Sequence, residues 1–182
     1  MPSSYARTVP PVFTSPVRVG KGRVRLSPVG NDAASLRFVV VPTSHADARR
    51  LLAEYYGEIR QRFGFNVSGQ AAAEDMDPPG GRFVIAYEGD VPVASGGIRT
   101  WEPGVCEIKR MFVTPGARRH GHGKRLLDAL ERTAIELGFR RIVLDTLDSH
   151  VDAMKFYDTT GYQRVPAYNE NPYASAWFAK DL

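Results

Sequence analysis

The chain has 182 residues, of which 43% are apolar and 24% are charged, and this balance excludes a fibrous or wholly disordered protein. No apolar run approaches the roughly 20 residues that cross a membrane, and the N-terminal residues lack the apolar core of a secretion signal. The single cysteine, Cys106, cannot form an internal disulfide, so we expect a cytoplasmic protein with no membrane partner.

The net charge is +4, and the basic excess lies near the N-terminus. Residues 1–33 contain five of the 24 Lys and Arg residues but only one of the 20 Asp and Glu residues. We interpret this Pro-, Ser- and Gly-rich stretch as a flexible basic extension and residues 34–182 as the folded domain. Nucleic-acid-binding domains usually carry their basic surface on the folded body, so we expect no nucleic-acid partner. DNA binding through the extension is the alternative.

The first part of the domain is predicted to form a strand, a helix and a loop. Residues 35–41 are strand-like and end at Pro42, after which Ser44 and Asp47 form a capping-type helix start. The helix then carries large apolar residues on one face. These are Leu52, Tyr55, Tyr56, Ile59 and Phe63. Such residues are more often core, and whether the aromatic ones line a ligand pocket is left open. Residues 64–81 form a long acidic loop, which often covers a site.

Three strands of one sheet are predicted next. Residues 83–87 and 91–100 form a hairpin around the polar turn 88–90, and residues 105–113 follow as another strand. The adjacent Gly96 and Gly97 inside the second of these strands indicate a bulge or a close backbone approach.

The second half of the domain begins with a long amphipathic helix that ends near Gly138. Its apolar face consists of Leu126, Leu127, Leu130, Ala134 and Leu137. A buried strand (141–146), a short helix (150–159) and two strands (161–168 and 175–180) complete the domain. This order predicts an α/β (mixed α+β) fold.

A basic, glycine-punctuated turn, residues 118–124, joins the strand 105–113 to this helix. Glycines allow close backbone approach, and the free N–H groups of a helix start attract anions. A dinucleotide fingerprint would need glycine where Leu126 stands, and a Walker loop would need Lys and then Ser or Thr directly after Gly121. The remaining Arg-x-x-Gly-x-Gly pattern predicts a diphosphate held by the N–H groups of residues 119–124. The alternative is a tight loop with solvated basic side chains.

This pattern resembles the acetyl-CoA-binding motif of the GCN5-related N-acetyltransferases (the GNAT superfamily). The resemblance continues in residues 144–146 (Leu-Asp-Thr) and 153–162 (Ala-x-x-Phe-Tyr-x-x-x-Gly-Tyr), and it covers roughly residues 35–181. Residues 106–113 and 168–172 are similar to a bacterial branch of small members. The resemblance implies a central, mostly antiparallel, twisted sheet of about six or seven strands flanked by about four helices.

The resemblance also implies acetyl-CoA as co-substrate, with its pantetheine arm along one strand and its diphosphate in the turn. The implied contacts are Met111, Phe112, Val113, Arg118, Arg119, His120, Gly121, His122, Gly123, Lys124, His150 and Tyr157. His150 stands where many members have asparagine, and an imidazole could replace the bond of that asparagine to the pantetheine. His120 and His122 lack a third suitably spaced ligand, so we expect no metal.

Two residues are predicted to be catalytic. Acyl transfer to an amine requires the neutral amine, whereas a lysine-type amine has a pKa near ~10, so a base or an acceptor of lower pKa is needed. The resemblance places Tyr157 near the thioester sulfur as proton donor, and some members use a glutamate at the position of Glu107 as base. The alternatives are that Tyr157 is a core residue and that Glu107 forms a structural ion pair with Lys109 or Arg110. Strand alternation predicts that Glu107, Lys109 and Met111 share one face.

The predicted function is transfer of an acetyl group from acetyl-CoA to the amine of a small or amino-acid-like acceptor, by direct attack in a ternary complex. Nothing nearby activates Cys106 as an acyl carrier. Lys109, Arg110, Tyr168 and Asn169 are predicted to contact the acceptor, and a homodimer is compatible with the sequence. The alternative is a catalytically inactive module that binds or senses acyl-CoA.

Overall fold

One seven-stranded sheet organises the part of the chain that the computed structural model describes, residues 36–64 and 72–182. The strands are β1 (Leu36–Val41), β2 (Gly81–Glu88), β3 (Val91–Glu102), β4 (Val105–Val113), β5 (Arg141–Thr146), β6 (Gln163–Val165) and β7 (Ala176–Asp181). Their order across the sheet is β1-β2-β3-β4-β5-β7-β6, and β4 with β5 is the parallel pair in an otherwise antiparallel sheet. This confirms the predicted mixed fold. The extension 1–33 and residues 65–71 of the predicted loop lie outside the described residues.

Three α-helices flank the sheet within the described residues, where about four helices were predicted. They are α1 (Ala46–Phe63), α2 (His122–Glu136) and α3 (Val151–Thr159). The predicted start of α1 at Ser44 is wrong by one residue, because His45 is the N-cap and its ring Nδ1 accepts a hydrogen bond from the Asp47 N–H at 3.2 Å. No described helix is long and apolar enough to cross a membrane.

The two faces of the sheet carry separate apolar clusters. The helix α2 buries its leucines on one face, and Leu126, Leu127 and Leu130 are completely inaccessible to solvent. The other face is covered by the N-terminal half of α1, which buries Leu51 and Leu52. The C-terminal half of α1 is only partly buried, and aromatic residues on it line a cleft.

A β-bulge in β4 changes which residues share a face. Ser95 pairs with Phe112 and Gly97 pairs with Lys109, so the single residue between them on β3 opposes two residues of β4. Arg110, one of those two, has the left-handed φ of 55°. The predicted alternation is therefore wrong at Met111, which packs with the α2 cluster, on the face opposite to Glu107 and Lys109.

The glycine pair in β3 has the close approach that the sequence predicted. A Cβ atom on Gly97 would lie 2.3 Å from the sulfur of Met76, which is itself buried. The prediction for the end of the domain was less accurate, because the strand predicted over residues 161–168 is limited to Gln163–Val165.

Candidate active site

The site lies where β4 and β5 separate. In these parallel strands, residues 105–107 of β4 pair with residues 141–143 of β5. The pairing stops after Glu107 and Val143, although both strands continue. The backbone of β4 beyond Glu107 therefore presents an edge that does not pair with β5. Two adjoining cavities open at this gap, a cleft of about 680 Å³ and a smaller cavity of about 120 Å³. Both are lined by Tyr55, Ile59, Met111, His150, Ala153 and Tyr157.

The larger cleft collects the residues that the sequence assigned to the cofactor. Of the twelve predicted contacts, all except His120 line it. Three elements bring them together: the end of β4, the turn into α2, and the start of α3. Their assignment to CoA stays a prediction, but the structure places them around one cleft.

The turn before α2 has the backbone geometry of an anion site. Arg119 and Gly121 have positive φ values of 67° and 76°, which turn the chain sharply into the helix that begins at His122. From Gly121 to Lys124, no backbone N–H group donates a hydrogen bond within the described residues. These N–H groups and the positive end of the helix dipole fit a diphosphate.

Gly123 supports this fit because the fold alone does not require a glycine there. It lies in the first turn of α2, and an added Cβ would meet the Phe156 ring and the Val113 side chain at 3.8–3.9 Å, an ordinary contact distance. The fold could therefore accept alanine, which is a better helix former. A ligand that closely approaches the backbone would explain the glycine.

Two of the basic side chains in the turn are engaged by other groups. Arg118 forms an ion pair with Glu58 of α1 and donates a hydrogen bond from Nε to the carbonyl oxygen of Val113 at 3.0 Å. Lys124 forms an ion pair with Asp128 one helical turn further on. Arg118 thus reaches across the larger cleft, from the end of β4 to α1.

Two histidines of the cleft have pKa values below the ordinary value of histidine. The pKa of His122 is lowered by burial, and its Nδ1 atom has no hydrogen-bond partner within the described residues. The Nε2 atom of His150 lies 3.1 Å from a guanidinium nitrogen of Arg62, which can only donate, so His150 carries its proton on Nδ1. Burial and the charge of Arg62 lower the pKa of His150.

Tyr157 lies at the junction of the two cavities and is 8% exposed. Its hydroxyl lies 3.9 Å from the sulfur of Met111, a weak acceptor. Burial, and then the charges of Tyr55 and Asp145, raise the pKa of Tyr157 well above 10, so its hydroxyl keeps its proton at neutral pH.

Glu107, the predicted base, belongs to a buried ionic network. Its side chain is fully buried, and its carboxylate accepts from Arg99 Nε at 2.7 Å and forms an ion pair with Lys109 Nζ at 2.8 Å. Lys109 Nζ also lies 3.0 Å from both carboxylate oxygens of Asp145. Burial alone would raise the pKa of Asp145, but Lys109 together with the amides of Asn169 and Asn171 lowers it.

The four predicted acceptor contacts separate into two groups. Lys109 and Arg110 line the smaller cavity, whereas Tyr168 and Asn169 line neither cavity. The Tyr168 hydroxyl and the Asn169 amide instead donate to Glu107 Oε1, at 2.8 and 3.3 Å. The ion pair between Glu107 and Lys109 that the sequence left as an alternative is present.

Comparison with known proteins decides the family. A model of the acetyltransferase (GNAT) family matches residues 45–162. The chain belongs to this family. An uncharacterised N-acetyltransferase of Schizosaccharomyces pombe is 29% identical over an alignment 148 residues long, which covers 76% of this chain and 88% of that protein. Since a fission yeast protein is among the relatives, a bacterial origin stays a prediction.

Solved structures show that the fold is that of the GNAT family. A GNAT acetyltransferase from Staphylococcus aureus superposes with a TM-score of 0.69 at 20% identity, over 80% of this chain and 98% of that one. An aminoglycoside 6'-N-acetyltransferase solved with coenzyme A superposes with a TM-score of 0.60 at 19% identity, over 79% of this chain and 96% of that one.

Several lining residues of this GNAT domain were not predicted as site residues. The smaller cavity is also lined by Asp145 at the end of β5 and by Asn171 and Tyr173 before β7. A charged residue directly after a buried apolar run was the available signal for Asp145. The other two residues reach the cavity only through tertiary packing.

The aromatic residues of α1, left open at first, are divided between cavity and core. Tyr55 and Phe63 line the smaller cavity, whereas Tyr56 does not. Tyr56 accepts a hydrogen bond from Arg110 Nε at 3.1 Å, and the Arg110 guanidinium lies 5.4 Å from the centroid of its ring. The bulge thus places a buried arginine against the aromatic side of α1.

Proposed function

We propose that the chain transfers an acetyl group from acetyl-CoA, held in the larger cleft, to the amine of a small acceptor in the smaller cavity. The observation that carries this proposal is that Tyr157, whose hydroxyl keeps its proton, lines both cavities. Membership of the GNAT family supports acyl transfer from an acyl-CoA to an amine as the reaction class.

The cleft offers separate partners for the two ends of the cofactor. The free N–H groups at the start of α2 suit the diphosphate, and the unpaired edge of β4 from Met111 to Val113 suits the amides of the pantetheine arm. When bound, acetyl-CoA supplies an activated thioester. A backbone N–H of the same β4 segment is suited to stabilise negative charge on the thioester oxygen.

Tyr157 is proposed as the proton donor. Because burial raises its pKa, the hydroxyl is available as an acid throughout the physiological range, and its weak contact with Met111 is easily exchanged. As the C–N bond forms and the C–S bond breaks, the thiolate leaving group would take this proton, and the proton that the amine nitrogen loses would restore the Tyr157 hydroxyl, directly or through solvent.

The acceptor amine must arrive in its neutral form, and Glu107 is poorly placed to make it so. The carboxylate lines neither cavity. Its Oε2 accepts from Arg99, and its Oε1 accepts from Tyr168 and Asn169. Lys109 forms an ion pair with the same Oε1 at 2.8 Å. In this proposal Glu107 therefore takes no proton, and the neutral fraction of the acceptor amine sets the rate.

The smaller cavity favours a compact acceptor. Its volume of about 120 Å³ admits only a small group, its α1 wall is aromatic and aliphatic, and Arg110 contributes a buried cation. We propose a small amine that carries a carboxylate or an apolar group, such as an amino-acid-like molecule. A carboxylate would bind well beside the guanidinium.

Thiol release from acetyl-CoA in the presence of a panel of small amines and amino acids tests this function. We expect thiol release that depends on the amine, and a product whose mass is that of the amine plus one acetyl group. We also expect CoA binding in calorimetry. Micromolar CoA binding without release on any amine would instead support an inactive acyl-CoA-binding module. Absence of CoA binding would contradict both assignments of the cleft.

A further inference from the structure

The segment between β6 and β7, residues 166–175, contains neither helix nor strand, yet it contributes Asn171 and Tyr173 to the wall of the smaller cavity. Its C-terminal end is tied to β5 by the Ser175 N–H, which donates to the carbonyl oxygen of Thr146 at 3.0 Å. Such a segment usually needs side-chain contacts to hold one conformation, because it lacks a ladder of its own.

Asn169 is the centre of those contacts. Its amide nitrogen donates to Asp145 Oδ2 at 2.6 Å and to Glu107 Oε1 at 3.3 Å. Its amide oxygen accepts from the Trp177 indole at 2.9 Å and from the Asn171 N–H at 3.3 Å. One side chain therefore connects the segment to β4, β5 and β7.

The neighbours of Asn169 bind the same two carboxylates. The Tyr168 hydroxyl donates to Glu107 at 2.8 Å, and the Asn171 amide donates to Asp145 at 3.2 Å. Burial and the charge of Glu107 raise the pKa of Tyr168 far above its ordinary value, so its hydroxyl remains a donor. Hydrogen bonds to buried carboxylates are among the strong ones, because at least one partner is charged.

The carboxylates are themselves fixed to the sheet. Lys109 lies between Glu107 and Asp145, and Arg99 holds the second oxygen of Glu107. The two buried carboxylates thus face two cations, which makes their burial tolerable. Arg99 also pairs with the more exposed Asp75 at 3.1 Å. The network turns the separating ends of β4 and β5 into a rigid base for the segment 166–175.

We propose that Glu107 and Asn169 are positioning residues that determine acceptor binding by holding Asn171 and Tyr173 in the cavity wall. This inference rests on the proposed function, since it assigns the smaller cavity to the acceptor. None of these network residues lines the larger cleft. Glu107, Tyr168 and Asn169 line neither cavity, and Lys109 and Asp145 line only the smaller one. Loosening the segment should therefore weaken acceptor binding and leave cofactor binding unchanged.

Two variants of different severity test the proposal. Tyr168→Phe removes one hydrogen bond and keeps the ring, whereas Asn169→Asp places a third carboxylate beside two others. With acetyl-CoA and the panel amine that gives the fastest thiol release, we expect the KM for the amine to rise about threefold or more in Tyr168→Phe and about tenfold or more in Asn169→Asp. The kcat, the pH–rate profile and the Kd for CoA should stay within about twofold.

Tyr87→Phe is the matched control. The Tyr87 hydroxyl donates to a carboxylate oxygen of Asp47 at 2.8 Å, the same bond length as in Tyr168, but it lies on the α1 side of β2 and lines neither cavity. Its KM for the amine should equal that of the wild type. An equal rise in KM for both tyrosine variants would mean a general loss of stability and would overturn the proposal.

Two further outcomes would also overturn it. One is a fall in kcat with loss of a limb of the pH–rate profile at unchanged KM, which would assign Glu107 to proton transfer. The other is unchanged hydrogen exchange of the Tyr173, Ala174 and Ser175 amides, which would contradict the anchoring of the segment 166–175. We expect this exchange to accelerate in Tyr168→Phe and Asn169→Asp and to stay unchanged in Tyr87→Phe. Exchange needs no acceptor, so it tests the inference even if every panel amine fails and the proposed function is wrong.

Discussion

The hydroxyl oxygen of Tyr157 lies 3.9 Å from the sulfur of Met111, and both side chains line the larger cleft and the smaller cavity. The β-bulge at Arg110 creates this relationship, because it rotates Met111 onto the α2 side of the sheet, where Tyr157 is buried. A regular strand would place Met111 on the opposite face. The bulge therefore brings the strand edge proposed to bind the cofactor next to Tyr157, the proposed proton donor.

Tyr157→Phe tests the proton donor. Removing the hydroxyl leaves the ring and its packing but leaves no acid at the junction, so we expect kcat to fall by about 10²-fold with little change in the Kd for CoA. Stopped-flow or steady-state thiol release measures the first and calorimetry the second. Because burial raises the Tyr157 pKa, its deprotonation should cause no alkaline limb below about pH 10, and kcat/KM should rise with pH as the amine loses its proton.

Tyr162→Phe provides the control for this variant. Tyr162 is buried, and its ring lies 5.6 Å from that of Tyr157, but it lines neither cavity. The Tyr162→Phe variant should have a kcat within a few-fold of that of the wild type. If Tyr157→Phe has the same kcat as Tyr162→Phe, then Tyr157 is a core residue and supplies no proton.

Gly123→Ala separates the demands of the fold from those of the ligand. An alanine Cβ finds ordinary contacts at 3.8 Å and beyond, so the helix should gain about 0.5–1 kcal/mol of stability. The same methyl group would project into a close backbone–diphosphate contact, and we expect the Kd for CoA to rise at least about tenfold. Thermal unfolding and calorimetry measure the two effects.

Gly57→Ala is the matched control for that experiment. Gly57 lies inside α1, where an added Cβ meets no atom within 4 Å. It should raise stability by a similar amount without affecting the Kd for CoA. Unchanged CoA binding in Gly123→Ala would place the diphosphate elsewhere.

Local patterns predicted the elements and the turn, but they could not predict how side chains from distant elements would meet. The strand β4 was predicted at its observed bounds, and the glycine pair in β3 indicated the irregularity at Gly96. The extra residue lies in β4, however, and the positive φ of Arg110 was not predicted, because it depends on the tertiary neighbours Tyr55 and Tyr56. The N-cap of α1 was misplaced because histidine is a rare cap.

The candidate site shows the same division. The turn before α2 and Tyr157 each lie in a short local motif, so the sequence alone indicated them. Asn171 and Tyr173 reach the smaller cavity only because Glu107 and Asp145 hold the segment 166–175. The pairing of residues some 60 positions apart, such as Tyr168 with Glu107, has no local sequence signal.

Glu107→Gln distinguishes a catalytic base from an anchor. The amide would keep the volume but leave Lys109 with one carboxylate and Arg99 without a buried partner, so we expect a loss of stability of about 2 kcal/mol or more. If Glu107 is an anchor, the KM for the amine rises while the shape of the pH–rate profile is kept. If Glu107 is a base, the variant instead loses the limb of the pH–rate profile that reports the ionisation of Glu107, and its kcat falls by about 10²-fold or more. Measuring thiol release from pH 6 to about pH 10 separates these cases.

Glu58→Gln tests whether the chain competes with the cofactor for Arg118. In the structure Glu58 pairs with Arg118 across the larger cleft, and Arg118 also binds the carbonyl oxygen of Val113 on the strand predicted to pair with pantetheine. A diphosphate that recruits this guanidinium must first displace Glu58. Because the pair is partly exposed, its removal should tighten CoA binding by only about two- to fivefold, corresponding to about 0.5–1 kcal/mol.

Glu54→Gln is the control for this competition, since Glu54 lies one turn earlier on α1 and pairs with Arg50 at 2.8 Å, away from the cleft. It should leave the Kd for CoA unchanged. The double variant Glu58→Gln with Arg118→Ala provides the sharper measurement, because the gain from Glu58→Gln should vanish when Arg118 is absent. A larger Kd for CoA in Glu58→Gln would mean that Glu58 orients Arg118 toward the cofactor. A gain in CoA affinity that persists without Arg118 would mean that Glu58 acts only through its general negative charge.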